Sequence, residues 1–137
     1  MKKLRLSIPS VFILFLYFFR LSANNPDSLK RVLAIVQGAE RLPILLQLCD
    51  TQFKGQLTNT EARGFAVEII QRATTARDTA AHVEGCLCIA INQDKSSNAS
   101  DTRKWLAEAL TLAGKYPGLQ AKTLYKWADY YYELGQM

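Results

Sequence analysis

Residues 119–135 read LQAKTLYKWADYYYELG, and the spacing of their side chains decides the fold. Large side chains recur every three or four positions, at Leu124, Trp127 and Tyr131, which places them on one face of an α-helix. Ala128 adds a small side chain beside them, and Gly135 is suited to end the helix. The segment therefore predicts a helix over 119–134 whose apolar face packs closely against a neighbouring element.

The same helical spacing continues through the rest of the chain. From residue 26 onward, no stretch of four to eight residues alternates as a half-buried strand would, so we expect an all-α protein. Proline, glycine and capping residues divide the chain into helices that begin near positions 26, 39, 58, 78, 100 and 119. The longest predicted loop spans 92–100 (NQDKSSNAS).

The composition is typical of a globular protein, and the charge distribution argues against a nucleic-acid partner. The 137 residues are 49% apolar and 21% charged, with a formal net charge of +5. Four of the seventeen Lys and Arg residues lie in the first twenty positions, which leaves thirteen basic against twelve acidic residues over 24–137. Because nucleic-acid binding needs a basic face that neutralises phosphates, we expect no nucleic-acid partner.

The N-terminus is typical of a secretory signal peptide. Three basic residues, at positions 2, 3 and 5, precede the apolar stretch 6–19 (LSIPSVFILFLYFF). Its fourteen residues fit a signal-peptide core and fall short of the ~20 that a membrane-spanning helix needs. Cleavage after Ala23 would release an exported chain, periplasmic or membrane-associated. The alternative is a retained N-terminal anchor or a buried helix.

The helix at 119–134 closely resembles the first helix of a tetratricopeptide repeat (TPR). In that family a small residue lets the neighbouring helix approach and an aromatic residue fills the gap, positions taken here by Ala128 and Tyr131. Leu106 and Ala109 look like part of the second helix of such a repeat. Gly85 occupies the small-residue position of a weaker copy.

The resemblance implies a short right-handed TPR-like solenoid of antiparallel helical hairpins. A signal peptide over 1–23 and a lead-in helix over 24–38 would precede repeats at about 39–77, 78–117 and 118–137, the last hairpin being incomplete. Equivalent positions 42, 78 and 121 are 36 and 43 residues apart, against 34 in the family. The side chains expected to pack between helices are Gly85, Leu106, Ala109, Leu124, Trp127, Ala128 and Tyr131.

Aromatic and charged side chains share the helix face that lines the concave groove in TPR proteins. The resemblance implies that this face binds a protein or peptide. The candidate binding residues are Lys122, Tyr125, Asp129, Tyr132 and Glu133, with His82 at the corresponding position one unit earlier. The alternative is that a following repeat covers this surface.

The cysteine and histidine residues do not predict a catalytic or metal site. Cys86 and Cys88 point about 200° apart on a helix, so they cannot share an ion, and we expect no metal and no cofactor. Because the first helices of adjacent repeats pack side by side, Cys49 could pair with Cys86 or with Cys88 after export. His82 has no second His or nucleophile at a useful spacing, so we interpret it as a solvated or partly packed residue.

These observations predict an exported, non-catalytic protein-interaction or sensing segment. Its organisation resembles the exported N-terminal segment of bacterial TPR-containing sensor histidine kinases or membrane-tethered regulators. The chain would then be the N-terminal part, or a fragment, of a larger signal-transduction protein, and would meet a membrane only through an N-terminal anchor or a downstream span. The alternatives are a free-standing secreted or periplasmic scaffold and a small helical enzyme. The enzyme is disfavoured because no pair of titratable residues is spaced for one helix face in a pocket.

Overall fold

The computed structural model describes residues 25–50, 56–91, 99–133 and 135. These ranges form α1 (Pro26–Ile35), α2 (Arg41–Leu48), α3 (Asn59–Ala76), α4 (Thr79–Ile91), α5 (Ala99–Ala113) and α6 (Pro117–Glu133). A 3₁₀ turn over Gly38–Glu40 leads into α2. The same ranges contain no β-strand, which confirms the predicted all-α class. None of their helices combines the length and the hydropathy that crossing a bilayer requires.

Two sequence predictions fall outside the described residues: the signal peptide at 1–23 and positions 92–98 of the predicted loop. The second helix, which the sequence predicts over 39–53, ends earlier, at Leu48. Where boundaries are described, two helices begin earlier than expected. α5 begins at Ala99, inside the predicted loop, and α6 begins at Pro117 instead of Leu119. Proline is tolerated there because the first N–H groups of a helix have no partner within the helix.

Side-chain caps explain where the third and fourth helices begin. Thr58 forms a capping box with Glu61: the Thr58 hydroxyl accepts the Glu61 N–H at 3.2 Å, and the Glu61 carboxylate accepts the Thr58 N–H at 3.0 Å. Arg77 ends α3 in a left-handed conformation, with φ at 56°. Asp78 then accepts the N–H of Ala81 at 3.0 Å. Because only two residues separate α3 from α4 and the helices pack together, they run antiparallel.

Each helix packs against the next one in the chain, and α4 also contacts α2 and α6. α4 is therefore central, and from Gly85 to Ala90 every residue is buried. One core cluster, around Leu29, Leu45 and Ile69, joins α1, α2 and α3. A second, around Val83, Leu87 and Leu106 with Trp127 packed against it, joins α4, α5 and α6.

Gly85 allows α3 and α4 to approach closely, as predicted. A Cβ atom at this position would lie 2.8 Å from Ile70 Cγ1, 3.0 Å from Ile69 Cγ2 and 3.3 Å from the carbonyl oxygen of Ala66. Real Cβ atoms essentially never come within 3.0 Å of a heavy atom of a non-neighbouring residue. The absence of a side chain is therefore a condition of this helix contact.

The consecutive helix pairs α3–α4 and α5–α6 repeat one burial pattern. Ala62, Ala66, Ile69 and Ala73 of α3 are buried, as are Thr102, Leu106, Ala109 and Ala113, each 40 residues further on. In the second helix of each pair, Val83 corresponds to Thr123 and Leu87 to Trp127 at the same spacing. The burial pattern of these helix pairs thus recurs at 40 residues, three fewer than the 43 predicted between positions 78 and 121.

Two of the predicted packing residues of α6 are exposed. At a spacing of 43, Gly85 would correspond to Ala128, whereas at a spacing of 40 it corresponds to Tyr125. Ala128 is exposed and Leu124 is 49% exposed, so the prediction that these two pack between helices is wrong. The buried side chains of Leu106 and Ala109 confirm their prediction.

The aromatic residues of α6 meet the core only in part. Trp127 packs against the cluster formed by α4, α5 and α6, as predicted. Tyr131 is half-buried and meets Tyr130 edge to face, with ring centroids 5.4 Å apart. Trp127 and Tyr130 therefore cover part of the second core cluster, whereas Tyr125 and Tyr132 on the far side of α6 are exposed.

A network of partly buried charged side chains holds α1, α2 and α3 together. The Arg41 guanidinium donates to both carboxylate oxygens of Glu68, at 2.6 and 3.0 Å, and to the carbonyl oxygens of Leu33 and Val36 at the end of α1. Arg72 donates to the same carboxylate at 2.8 Å. These hydrogen bonds lower the pKa of Glu68 to about 2 despite its partial burial, and the bond from Arg41 contributes most.

Candidate functional site

A groove of about 360 Å³ opens between α2, α4 and α6. Leu46 of α2 and Leu87 and Ile91 of α4 supply its apolar walls. Such a volume, with a mainly apolar surface and a few polar groups, is at the lower end of the range for ligand sites. The described residues thus place an apolar recess on the side of the molecule where α2, α4 and α6 meet.

A disulfide forms part of the groove and fixes two of its helices. Cys49, which ends α2, is bonded to Cys88 of α4, with Cα atoms 5.6 Å apart. Both cysteines line the groove. Of the two pairings left open by the sequence, the structure therefore has Cys49 with Cys88, and Cys86 is a buried cysteine outside the bond.

Charged side chains from α4 and α6 form one rim of the groove. The Lys122 ammonium donates to the Glu84 carboxylate, which ties α6 to α4. Lys126 lines the same edge, and its ammonium lies 5.6 Å from the centre of the Tyr125 ring. The rim therefore presents two ammonium groups and the Glu84 carboxylate beside the apolar wall, and Asp50, which follows α2, adds a second carboxylate to the groove lining.

The predicted binding residues of α6 divide into two sets. Lys122 lines the groove, although its charge is paired with Glu84. Tyr125 and Tyr132 are 67% and 72% exposed, and Asp129 is half-buried, but none of these three lines the groove itself. The side chain of Glu133 lies outside the described residues.

The prediction that His82 faces this groove is wrong. Each helical residue turns the chain by about 100°, so His82 and Glu84 point about 200° apart. Because Glu84 lines the groove, His82 lies on another side of α4, where its imidazole approaches Glu108 of α5.

His82, Cys86 and Glu108 form a second cluster of polar groups, between α4 and α5. The imidazole nitrogen Nε2, the thiol sulfur and a carboxylate oxygen all lie within 4.8 Å of one another. Burial, and secondarily the negative charge of Glu108, raises the pKa of the Cys86 thiol to about 12. The spacing of His82 and Cys86, four apart on one helix, was readable from the sequence, whereas the contribution of Glu108 depends on how α5 packs.

The described residues therefore define an all-α protein with a disulfide-bonded groove on one side of its central helix and a His–Cys–Glu cluster on another. Comparison of the chain with protein-family models, with curated proteins and with solved structures found no match.

Proposed function

We propose that the chain is an exported, non-catalytic protein-interaction segment whose helices stack as TPR-like hairpins and whose groove binds a segment of a partner protein. The observation that carries the proposal is the groove itself. Leu87 and Ile91 form its apolar walls, and Lys126 lies at its rim. The ring of exposed Tyr125 contacts the Lys126 ammonium.

The contacts among alternate helices support the TPR-like arrangement. α4 contacts both α2 and α6 beside the groove, as the first helices of successive hairpins do along the inner surface of a helical-repeat protein. The close approach at Gly85 and the repeated burial pattern of α3–α4 and α5–α6 support the same arrangement. On this basis α6 would be the first helix of a further hairpin.

The disulfide supports an exported location. Disulfide bonds form and persist in oxidising compartments and are rare where thiols are kept reduced. The bond between Cys49 and Cys88 thus agrees with the signal peptide predicted at 1–23. We place the chain in the periplasm or at the outer side of a membrane.

The walls and rim of the groove suit a short peptide with one apolar anchor and one carboxylate. A volume of about 360 Å³ accommodates one or two apolar side chains against Leu87 and Ile91. A neighbouring acidic side chain would meet the Lys126 ammonium, and Tyr125 would supply rigid aromatic contact area. Aromatic and cationic residues of this kind dominate the binding energy of many protein interfaces.

A role in signal transduction rests on the resemblance to sensor proteins. In such proteins the exported segment binds its partner and a cytoplasmic output domain follows a membrane span. A span and an output domain encoded in frame after residue 137 would support this role. A stop codon there would favour a free-standing periplasmic scaffold, with the groove serving the same binding purpose.

Peptide selection against the oxidised chain tests the binding proposal. Peptides selected from a displayed random library would be labelled, and their dissociation constants measured by fluorescence anisotropy against four variants. Lys126→Glu and Tyr125→Ala alter the groove edge. Lys104→Glu on α5 and Tyr116→Ala before α6 make the same chemical changes at exposed positions that do not line the groove.

We expect the two groove-edge variants to weaken binding about tenfold, or about 1.4 kcal/mol, and the two controls to change it by less than about twofold. Selected peptides should carry an apolar residue next to Asp or Glu. Equal effects of the groove-edge and control variants, or selection that enriches no peptide, would refute the proposal.

A further inference from the structure

The cluster between α4 and α5 contains the chain's only histidine and its only cysteine outside the disulfide. The sequence has one His and three Cys, and Cys49 and Cys88 are bonded to each other. The remaining pair, His82 and Cys86, lie one turn apart on α4, and Glu108 reaches them from α5. None of the three lines the groove.

The three groups have the separations of a nearly formed metal site. Zinc binds nitrogen and oxygen at ~2.0–2.2 Å and sulfur at ~2.3 Å, so the ligand atoms of a tetrahedral site lie roughly 3.3–3.8 Å apart. His82 Nε2 and Glu108 Oε1 are 3.8 Å apart, and no two of the three ligand atoms exceed 4.8 Å. Side-chain rotations that move atoms by about 1 Å would bring all three onto one ion.

The imidazole of His82 is the strongest indication that the cluster binds something. Its Nε2 atom is buried and has no hydrogen-bond partner among the described residues. A distance of 3.8 Å to Glu108 is too long for a hydrogen bond, and leaving a buried polar atom unsatisfied is costly. A cation between the imidazole and the carboxylate would satisfy both groups.

We propose that His82, Cys86 and Glu108 bind one divalent zinc ion that links α4 to α5. A nitrogen, a thiolate and a carboxylate are all zinc ligands, whereas a thiolate disfavours the hard cations Mg²⁺ and Ca²⁺. Thiolate and carboxylate together balance the two positive charges of the ion. The side chain of Glu108 is 41% exposed, so the site is open to solvent on the Glu108 side, where a water molecule would supply the fourth ligand.

Binding converts the Cys86 thiol to a thiolate. The S–H bond breaks, its proton leaves to solvent, and the sulfur electron pair forms the bond to zinc, with no oxidation or reduction. His82 contributes the lone pair of its partnerless Nε2 atom. The site therefore needs no reactant besides the ion and water.

Titration of the full chain with Zn²⁺ alone tests the proposal. The chain is used oxidised and without a polyhistidine tag, and affinity is measured by competition with a chromophoric chelator. Co²⁺ substitution adds a spectroscopic readout, because cobalt bonded to a thiolate shows a sulfur-to-metal charge-transfer band in the near ultraviolet. The variants are Cys86→Ser and Glu108→Gln, with Glu40→Gln, an exposed carboxylate far along the sequence, as the control.

We expect one zinc ion per chain, and a cobalt charge-transfer band that Cys86→Ser abolishes. Loss of an outer partner of a metal ligand already weakens affinity 10–100-fold, so loss of a ligand should weaken it at least about 100-fold. Glu108→Gln should weaken binding while keeping the charge-transfer band, and Glu40→Gln should change neither.

Two results would overturn the inference. One is the absence of saturable zinc binding at one ion per chain. The other is binding that Cys86→Ser and Glu108→Gln leave unchanged, which would mean an adventitious ion only. Glu108 is partly exposed, so its variant keeps the test valid if substitution of buried Cys86 prevents folding. Circular dichroism of each metal-free variant establishes that it folds.

Discussion

Adding one methyl group at Gly85 should destabilise the protein, although alanine is the better helix former. Gly→Ala in a helix interior stabilises by about 0.8–1.0 kcal/mol when the new methyl group meets nothing. At Gly85 the new Cβ would lie 2.8 Å from Ile70 Cγ1 and 3.0 Å from Ile69 Cγ2. The neighbouring helix must therefore shift, and overpacking of this kind costs about 1–3 kcal/mol.

Gly64 provides a matched control within the same helix pair. It lies in the interior of α3, is exposed, and an added Cβ would meet no atom within 4 Å. Gly64→Ala should therefore raise the free energy of unfolding by about 0.8–1.0 kcal/mol. Since the propensity gain is common to both variants, their difference isolates the packing cost, which we expect to be about 1–3 kcal/mol.

Urea unfolding followed by circular dichroism measures both free energies, with the disulfide kept oxidised. In thermal unfolding, a difference of 1 kcal/mol corresponds to roughly 3–4 °C in Tm for a chain of 137 residues. We expect Gly85→Ala to melt below Gly64→Ala by at least that interval. If both substitutions stabilise the chain equally, α3 and α4 do not pack closely at Gly85, and the reasoning is wrong.

Three further predictions concern the caps, the ion network and the disulfide. Replacing both Cys49 and Cys88 by Ser should lower the free energy of unfolding by about 4 kcal/mol, because the bond closes a chain segment with a sequence separation of 39. In urea unfolding, reductant should destabilise the parent chain and leave the double variant unchanged. Thr58→Ala should cost about 1 kcal/mol in the same assay and Thr60→Ala nothing comparable, since only Thr58 caps α3. Glu68 has a pKa of about 2 in the folded chain against 4.5 ordinarily, so its stabilisation of the fold is present above pH 4.5 and is lost as pH falls toward 2. Glu68→Gln should therefore flatten the decline of the free energy of unfolding over that interval. An unchanged decline would contradict this account.

Local chemistry made most helix boundaries predictable. Thr58 and Asp78 cap helices as the sequence indicated, because a side-chain oxygen can satisfy a free N–H wherever it stands just before an apolar repeat. Gly38 adopts a positive φ, of 62°, as glycine readily does, but α1 already ends at Ile35. The bounds of α5 were less accurate because a polar segment such as NASD contains several possible caps and no apolar residue that selects one.

The packing face of α6 was harder to predict because a small error in register rotates the whole face. A shift of three residues turns a helix by about 300°, so the predicted face moves by about 60° from the true one. That rotation is small enough to keep Trp127 in the core and large enough to expose Leu124 and Ala128. A large aromatic side chain can still contact the core when the predicted face is rotated by about 60°, whereas a small residue permits close helix packing only at its own position.

The central position of α4 explains why neither site was predictable from the sequence. A helix that is apolar on one stripe reveals which side faces the core, whereas α4 is buried on most sides and its periodicity reveals little. Its directions become clear only from its neighbours: Gly85 meets α3, Cys88 and Glu84 meet the groove, and Cys86 turns toward α5. Both proposed sites therefore depend on how α4 is rotated about its axis. The comparison of Gly85→Ala with Gly64→Ala tests that rotation directly, because only one side of α4 can lie within 3 Å of α3.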